Sequence, residues 1–342
     1  MYVIYHSSDS FSAVTGTSII SLLENNKGAD QIHILYIEKE ISEDNKGKLK
    51  SIVDKYGREL EFMKMPDWSG ELGTMLHTSK SDWLGFGYNR LFLTKYIPDN
   101  IDRVLYLDSD TIIERSIEEL WNINMNNYYF AGVDDCLSRS YRRICGLKGN
   151  GVYCNAGMLL INLKKWREDQ VIESFINTIY QNNGYFIFNE QSIINSVFEG
   201  EIYVLPLYYN VYSPVFKFEY QELMKLRKPY RYTYDEELYN EARNNPAITH
   251  YTGLFCIKHR PWIKNSDHPH KQAFLNYYRL TPWNETPLME ARKNFFSNAV
   301  AFLCDYTPKV LMIKIANLVY YYIRPLAFKR RMKKHRRNRK NA

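Results

Sequence analysis

Asp108 and Asp110 stand two residues apart at the end of an apolar run, Arg103-Val104-Leu105-Tyr106-Leu107, and Thr111-Ile112-Ile113 resumes beyond them. Such a run reads as a buried central strand of a parallel sheet. Carboxylates have no place inside it, because an unpaired buried charge loses its hydration. They belong just past it, at the carboxyl edge where open α/β sheets hold ligands. Side chains at i and i+2 of extended chain point the same way, so both carboxylates can reach one hard divalent cation. A cation held by two protein carboxylates keeps positions open, and substrate phosphates commonly fill them. An acidic turn after a strand is the plain alternative, since Asp-x-Asp alone is a weak motif.

The elements that must position this pair alternate along the first half of the chain. Apolar runs predict strands at residues 2–5, 32–37 and 60–63. Helical spacing predicts helices at 12–25, with Ile19, Ile20, Leu22 and Leu23 inward, and at 43–56, opened by Ser42 as N-cap. A helix at 88–96, halted before Pro98, leads into the aspartate-bearing strand. A later strand at 157–162 runs into a helix at 164–181, while the tyrosine- and proline-bearing stretch 200–235 has no clear period. This alternation predicts an α/β nucleotide-binding sheet. No G-x-G-x-x-G or Walker A loop accompanies it, so phosphates would be held through metal and basic side chains.

Further blocks follow in a fixed order: Arg90 upstream, Asn155-Ala156-Gly157-Met158-Leu159-Leu160-Ile161-Asn162-Leu163, Glu190-Gln191, and His250-Tyr251-Thr252-Gly253 ahead of Pro261-Trp262. Together with residues 104–110 they resemble glycosyltransferase family 8, which includes bacterial lipopolysaccharide glucosyl- and galactosyltransferases and glycogenin. The resemblance covers about residues 1–270 and implies a GT-A-type fold with a central mixed, mainly parallel sheet. It implies His250 as a third metal ligand beside Asp108 and Asp110. Imidazole among oxygens tilts the metal toward Mn²⁺, with Mg²⁺ the alternative. It places Arg90 along the donor and gives sugar recognition to Arg90, Asp135, Asn155, Ala156, Glu190 and Gln191. Hexoses need fixed donors and acceptors for their hydroxyls, which these side chains provide.

The chain departs from the family pattern at three places. After Gly253 it reads Leu254-Phe255-Cys256-Ile257-Lys258-His259-Arg260, so the loop is longer and Arg260 stands where a lysine belongs. Either Lys258 or Arg260 would meet the diphosphate, as a point charge or as a planar fork. After the first strand come His6-Ser7-Ser8-Asp9-Ser10, with Ser8 at the position of a base-reading aspartate and Asp9 displaced by one. Ser7, Ser8, Asp9 and Ser10, with Ser109, Gly253, Lys258 and Arg260, form the expected nucleotide set, and UDP is the expected nucleotide. Glu190 replaces the aspartate of an Asp-Gln pair. The resemblance implies retention of anomeric configuration. Gln191 is an amide and a poor nucleophile, which favours front-side transfer. In that route a phosphate oxygen of the leaving UDP takes the acceptor proton; Glu190 as nucleophile is the alternative.

Composition bounds these readings. With 342 residues and 45% hydrophobic content, the chain has ample core for one large domain and an appendage, divided here as 1–280 and 281–342. Five cysteines without a Cys-x-x-Cys pair argue against a disulfide framework or zinc knuckle. Met1-Tyr2-Val3-Ile4 enters a strand with no basic n-region, so a cytoplasmic protein is expected. The net charge of +7 is local: Lys329, Arg330, Arg331, Lys333, Lys334, Arg336, Arg337, Arg339 and Lys340 lie in one tail, and removing those nine takes +7 to −2. Just before the tail, residues 309–324 are nearly a helix of apolar surface, relieved by Lys314 and Asn317. That is too short and interrupted for a span, but it fits a helix in the membrane interface followed by a polybasic segment on anionic headgroups. Phe295, Phe296, Val300, Phe302 and Leu303 suggest an earlier amphipathic helix. The tail lacks the interleaved aromatics of a nucleic-acid platform, so no nucleic-acid partner is expected.

The expectation is a retaining, metal-dependent hexosyltransferase, peripheral on the inner face of a bacterial membrane. It would move glucose or galactose from a UDP-sugar to a lipopolysaccharide core or lipid-linked saccharide. A non-catalytic nucleotide-sugar-binding protein is the first rival. A metal-dependent nucleotidyltransferase is the second, although it would need a third carboxylate or a phosphate-cradling loop that the sequence lacks.

Overall fold

The computed structural model describes residues 1–64, 87–291 and 295–340. The first unit is β1 (Tyr2–Ser8), α1 (Ser12–Asn25), β2 (His33–Lys39), α2 (Glu43–Lys55) and β3 (Glu59–Lys64). Then come β4 (Arg103–Leu107), β5 (Thr111–Ile113), β6 (Phe130–Gly132), β7 (Met158–Asn162), β8 (Ile202–Val204), β9 (Val211–Tyr212) and β10 (Ile248–His250). A large sheet has the order β3-β2-β1-β4-β7-β6-β8. All its neighbours run parallel except β7, which is antiparallel to β4 and β6. The sheet is therefore mixed and mainly parallel, as expected. A small second sheet has the order β5-β10-β9.

Alternation along β1 and β4 explains why both faces of the large sheet are covered. Val3, Tyr5, Leu105 and Leu107 face a core shared with α1, α2 and the small sheet, whereas Ile4, Val104 and Tyr106 face a core with Leu159, Trp166 and Phe175. α1 is buried almost all round, and its hydroxyls find partners: Ser21 Oγ accepts from Ile113 N at 2.9 Å and Ser18 Oγ meets Thr111 Oγ1 at 3.1 Å. α2 begins where the sequence placed it, with Ser42 Oγ accepting from Asn45 N at 3.3 Å and Glu43 and Asp44 in its first turn.

Two expected helices differ. Residues 88–96 form a short 3₁₀ stretch, Asn89–Lys95, broken at Phe92. Residues 89–93 are all buried, with core on one side and the candidate site on the other, so no solvent face remains for a regular amphipathic helix. Residues 164–181 form two helices, Leu163–Glu168 and Val171–Gln181, because Gln170 turns into the left-handed region at φ 49°. Asp169 accepts from Lys165 Nζ and Tyr129 OH at this corner, and the redirected chain seats Phe175 on Trp166, with centroids 5.3 Å apart.

Beyond residue 280 the chain keeps packing on the body. Trp283 lies against Gly16, where an added Cβ would come 2.5 Å from its ring, and its Nε1 donates to Asn45 Oδ1 at 3.1 Å. The helix Phe295–Tyr306 precedes Lys309–Leu318, which buries Met312 and Ile313, and its Asn317 Nδ2 donates to Lys225 O in the helix Tyr220–Arg227. A π-helical turn, Val319–Ile323, leads into the helix Arg324–Lys340. Among the described residues no helix is long and apolar enough to cross a membrane. The side chains of Phe295, Phe296, Lys334, Arg336, Arg337, Arg339 and Lys340, on which part of the amphipathic and polybasic expectation rests, lie outside the described residues.

Candidate active site

The acid pair sits at the exit of β4, where the chain leaves the large sheet for the small one. Asp108 O accepts from Thr111 N at 3.2 Å and from Thr111 Oγ1 at 2.8 Å. The two carboxylates therefore converge across a tight turn, and not along an extended strand as the i, i+2 argument supposed. β5 then pairs antiparallel with β10, setting Thr111 opposite His250, and Tyr251 N donates to Asp110 O at 2.9 Å. This pairing carries His250 from far along the chain to the acids. Its Nε2 lies 3.3 Å from Asp110 Oδ1 and 3.8 Å from Asp108 Oδ2. One ligand atom from each of the three residues falls within 4.8 Å of the others.

The surroundings orient each ligand. Asp108 Oδ1 accepts from Arg90 Nη2 at 2.9 Å, and Asp110 Oδ2 from Arg260 Nη1 at 3.2 Å, so each carboxylate has an arginine outside and His250 inside. His250 Nδ1 meets Asn210 Oδ1 at 3.2 Å. With the proton on Nδ1, the Nε2 lone pair faces the carboxylates, which is how proteins orient a metal-binding imidazole. Two carboxylates and one such nitrogen fit a divalent cation. Burial opposes both charges, but Asp110 and Asp108 outweigh it and raise the His250 pKa, while His250 and Arg260 hold Asp110 low.

The expected sugar-reading residues gather on the other side of Asp108. Arg90 is buried, packs its guanidinium 4.4 Å over the Tyr106 ring, donates to Ala156 O and lies 3.6 Å from Glu190 Oε1. Burial raises the Glu190 pKa against the pull of Arg90. Gln191 is held at both ends: Oε1 accepts from Ala156 N at 3.0 Å, and Nε2 donates to Asp135 Oδ2 and to Tyr153 OH, each at 3.2 Å. Burial likewise raises the Asp135 pKa, and Arg227, 3.8 Å away, works against it. Asn155 Oδ1 accepts from Gly157 N at 3.0 Å and from Asn210 Nδ2 at 3.1 Å.

The expected nucleotide set is divided. Arg260 faces the acids, and an added Cβ on Gly253 would lie 3.3 Å from its Nη2. Lys258 instead reaches Asp305 in the Phe295–Tyr306 helix at 2.5 Å, leaving Arg260 as the one of the two cations placed at the acid pair. Ser7 Oγ is buried against Tyr36 OH at 2.6 Å, and Ser109 Oγ donates to His6 O at 2.6 Å, so both hydroxyls tie strands together. Asp9 Oδ1 accepts from Ser42 N, Ser42 Oγ and Asn45 Nδ2, joining the loop after β1 to the start of α2. Ser8 and Ser10 hydroxyls stand 3.4 Å apart at the exposed rim of that loop.

Sequence reasoning missed Asn210, Gly157, Tyr153, Arg227 and His6. Asn210 had no motif to mark it; the parallel pairing of β9 with β10 sets it beside His250. Gly157 carried a faint signal in Asn155-Ala156-Gly157: a Cβ there would lie 2.0 Å from His250 Cε1. Burial lowers the pKa of His6 to about 4 despite nearby Asp108, and its Nδ1 meets Tyr106 OH at 2.6 Å.

A mixed α/β sheet with an acid pair at its carboxyl edge, completed by a histidine from a second sheet, is the architecture of a GT-A-type sugar transferase. The chain belongs to the family described as Glycosyl transferase family 8, whose profile matches residues 2–266, and it is a glycosyltransferase. General stress protein A of Bacillus subtilis (strain 168) is 26% identical over 288 residues, covering 83% of this chain and 95% of that protein. Lipopolysaccharide 1,2-glucosyltransferase of Escherichia coli is 28% identical over 285 residues, covering 81% of this chain and 77% of that one. Among solved structures, the galactosyltransferase LgtC with donor and acceptor sugar analogues shares the fold at a TM-score of 0.66, with 23% identity over 83% of this chain and 99% of that one.

Proposed function

We propose that this chain transfers glucose or galactose from a UDP-sugar to a membrane-associated glycan, such as a lipopolysaccharide core or lipid-linked saccharide, with retention of configuration. The observation that carries the proposal is the convergence of Asp108, Asp110 and His250 between Arg260 and the Arg90–Glu190–Gln191 group. LgtC, crystallised with donor and acceptor sugar analogues, and the Escherichia coli lipopolysaccharide glucosyltransferase support the donor and acceptor classes.

Asp108, Asp110 and His250 would hold the cation, Mn²⁺ in our reading and Mg²⁺ as the alternative. Bound there, it supplies Lewis-acid stabilisation of the charge left on the diphosphate. Arg260 adds a planar fork for the same phosphates. Arg90, fixed by Tyr106 and Ala156, keeps Asp108 aimed and compensates the Glu190 carboxylate. Gln191 has both ends of its amide engaged, which fixes its position and suits it poorly for attack. That supports front-side transfer, in which the acceptor hydroxyl's proton passes to a phosphate oxygen of the departing UDP. Glu190 as nucleophile remains the two-step alternative.

Membrane placement, on the inner face of the cell membrane, is supported by the C-terminal helices. Leu311, Ile315, Leu318, Tyr322 and Leu326 are all exposed and recur at helical spacing, opposite the docked Met312 and Ile313. The test is UDP release by purified protein across a donor panel, with Mn²⁺, with EDTA and with Asp110→Ala. Release from one donor, abolished in both controls, is the expected result. No release from any donor despite Mn²⁺-dependent UDP binding would favour the non-catalytic nucleotide-sugar-binding protein, and no Mn²⁺-dependent UDP binding either would sink the donor-site assignment.

A further inference from the structure

A second cleft adjoins the site on the side of Glu190. It encloses about 400 Å³, and its walls include Tyr88, Tyr185, Asn189, Arg324, Phe328 and Arg331. Asn189, at φ 46°, directly precedes Glu190, and the Tyr88 hydroxyl, whose pKa is raised by burial, also feels the Glu190 charge, so the cleft lies beside that residue without being lined by its carboxylate. Its far wall comes from residues beyond 266, where the family profile ends. Arg324, Ala327, Phe328 and Arg331 follow at i, i+3, i+4 and i+7 and share one helix face. The two guanidinium-bearing positions are thus about 10 Å apart along the axis.

This wall is anchored. The Tyr320 ring stacks on Tyr141 at 4.2 Å and 14°, Tyr141 OH donates to Tyr320 O at 2.8 Å, and Tyr321 OH donates to Leu226 O at 3.1 Å. Both tyrosines belong to the π-helical turn Val319–Ile323. Arg324 rests its guanidinium 5.1 Å over the Phe188 ring. Among the described residues neither Arg324 nor Arg331 has a carboxylate partner, and no acid lines the cleft.

Aromatic faces beside guanidinium groups whose charge no carboxylate neutralises match a sugar ring that carries a phosphate or carboxylate. The donor diphosphate would meet other positive charge, the cation that Asp108, Asp110 and His250 would hold and the Arg260 guanidinium, on the other side of the Arg90–Glu190 pair. We propose that this cleft is an acceptor subsite and that Arg324 and Arg331 select an acceptor saccharide bearing an anionic group next to the accepting sugar. The proposal rests on the transferase reading above and names the chemistry of the acceptor.

The experiment titrates glucose 6-phosphate, glucose and inorganic phosphate into the full chain saturated with UDP and Mn²⁺, by calorimetry, for wild type, Arg331→Gln and Arg331→Lys. Glucose 6-phosphate should bind about tenfold or more tighter than either other probe, a margin expected of a charge-assisted fork. Arg331→Gln should lose that margin and Arg331→Lys keep part of it, with thermal midpoints confirming folded variants. Equal binding of glucose and glucose 6-phosphate overturns the proposal. So does inorganic phosphate binding as tightly as the sugar phosphate, or Arg331→Gln leaving the margin intact. Wild-type UDP release is measured in parallel: its absence sinks the transferase reading, whereas release with no preference for the phosphorylated probe sinks the subsite alone.

Discussion

At the scale of residues, the site works by dividing each carboxylate between two partners. Asp108 and Asp110 each turn one oxygen to an arginine and the other to His250, and Asn210 fixes the imidazole from behind. Asn210→Ala removes that support without touching a ligand. The expected outcome is Mn²⁺ affinity weaker by about 10–100-fold, read as a higher Mn²⁺ concentration for half-maximal UDP release; an unchanged Mn²⁺ curve would show that His250 is oriented by other contacts. Asp134 makes a pH prediction. Burial raises its pKa to about 6, against the hydrogen bonds it accepts from Thr233 Oγ1 and Cys136 N. An acid with a folded pKa above its unfolded value stabilises the fold below about pH 4, and this contribution is lost as pH rises through about 6. Asp134→Asn removes the titration, so wild-type stability relative to the variant should fall by about 3 kcal/mol between pH 4 and pH 7. Urea unfolding at the two pH values measures it.

At the scale of elements, the site depends on where the two sheets meet. β4 ends in the aspartate turn, β5 leaves it for the small sheet, and β10 returns with His250. β7 closes against this junction, and its approach is possible because residue 157 has no side chain. Gly157→Ala would drive a methyl group into the imidazole. Metal-dependent UDP release should then drop to the level of His250→Ala, with far-ultraviolet circular dichroism retained and stability lowered by about 1–3 kcal/mol. Activity near wild type would mean that β7 and β10 can separate. The sequence forecast β1, β2, β3, β4 and β7 because each is a compact apolar run. It merged Leu163–Glu168 with Val171–Gln181 because a left-handed residue at Gln170 leaves hydrophobic spacing almost intact.

At the scale of the whole molecule, the C-terminal helices face two ways. Met312, Ile313, Tyr320 and Tyr321 pack on the transferase body, while Leu311, Ile315 and Leu318 stay exposed. A triple substitution, Leu311→Glu, Ile315→Glu and Leu318→Glu, spares the docked face. Co-sedimentation with phosphatidylglycerol vesicles should fall about tenfold or more, because each buried Leu or Ile contributes about 1.5–3 kcal/mol. The basic tail should make the remaining binding salt-sensitive. Vesicle binding unchanged by the triple substitution would remove the apolar stripe from the membrane contact.

The sequence by itself determined the acid pair at the end of a buried strand, the strand–helix alternation that carries it, and the family to which the chain belongs. Those signals are local: an apolar run, a cap such as Ser42, or a short block such as Asn155-Ala156-Gly157 is written in neighbouring residues. Only the tertiary structure decided that Asn210 stands behind His250, that Lys258 turns to Asp305 while Arg260 faces Asp110, and that Arg324 and Arg331 wall a cleft beside Glu190. Each of these follows from pairing or packing between segments far apart in the chain. The energy of such contacts depends on shape and charge meeting across space, and no periodicity in one segment records what will be folded against it.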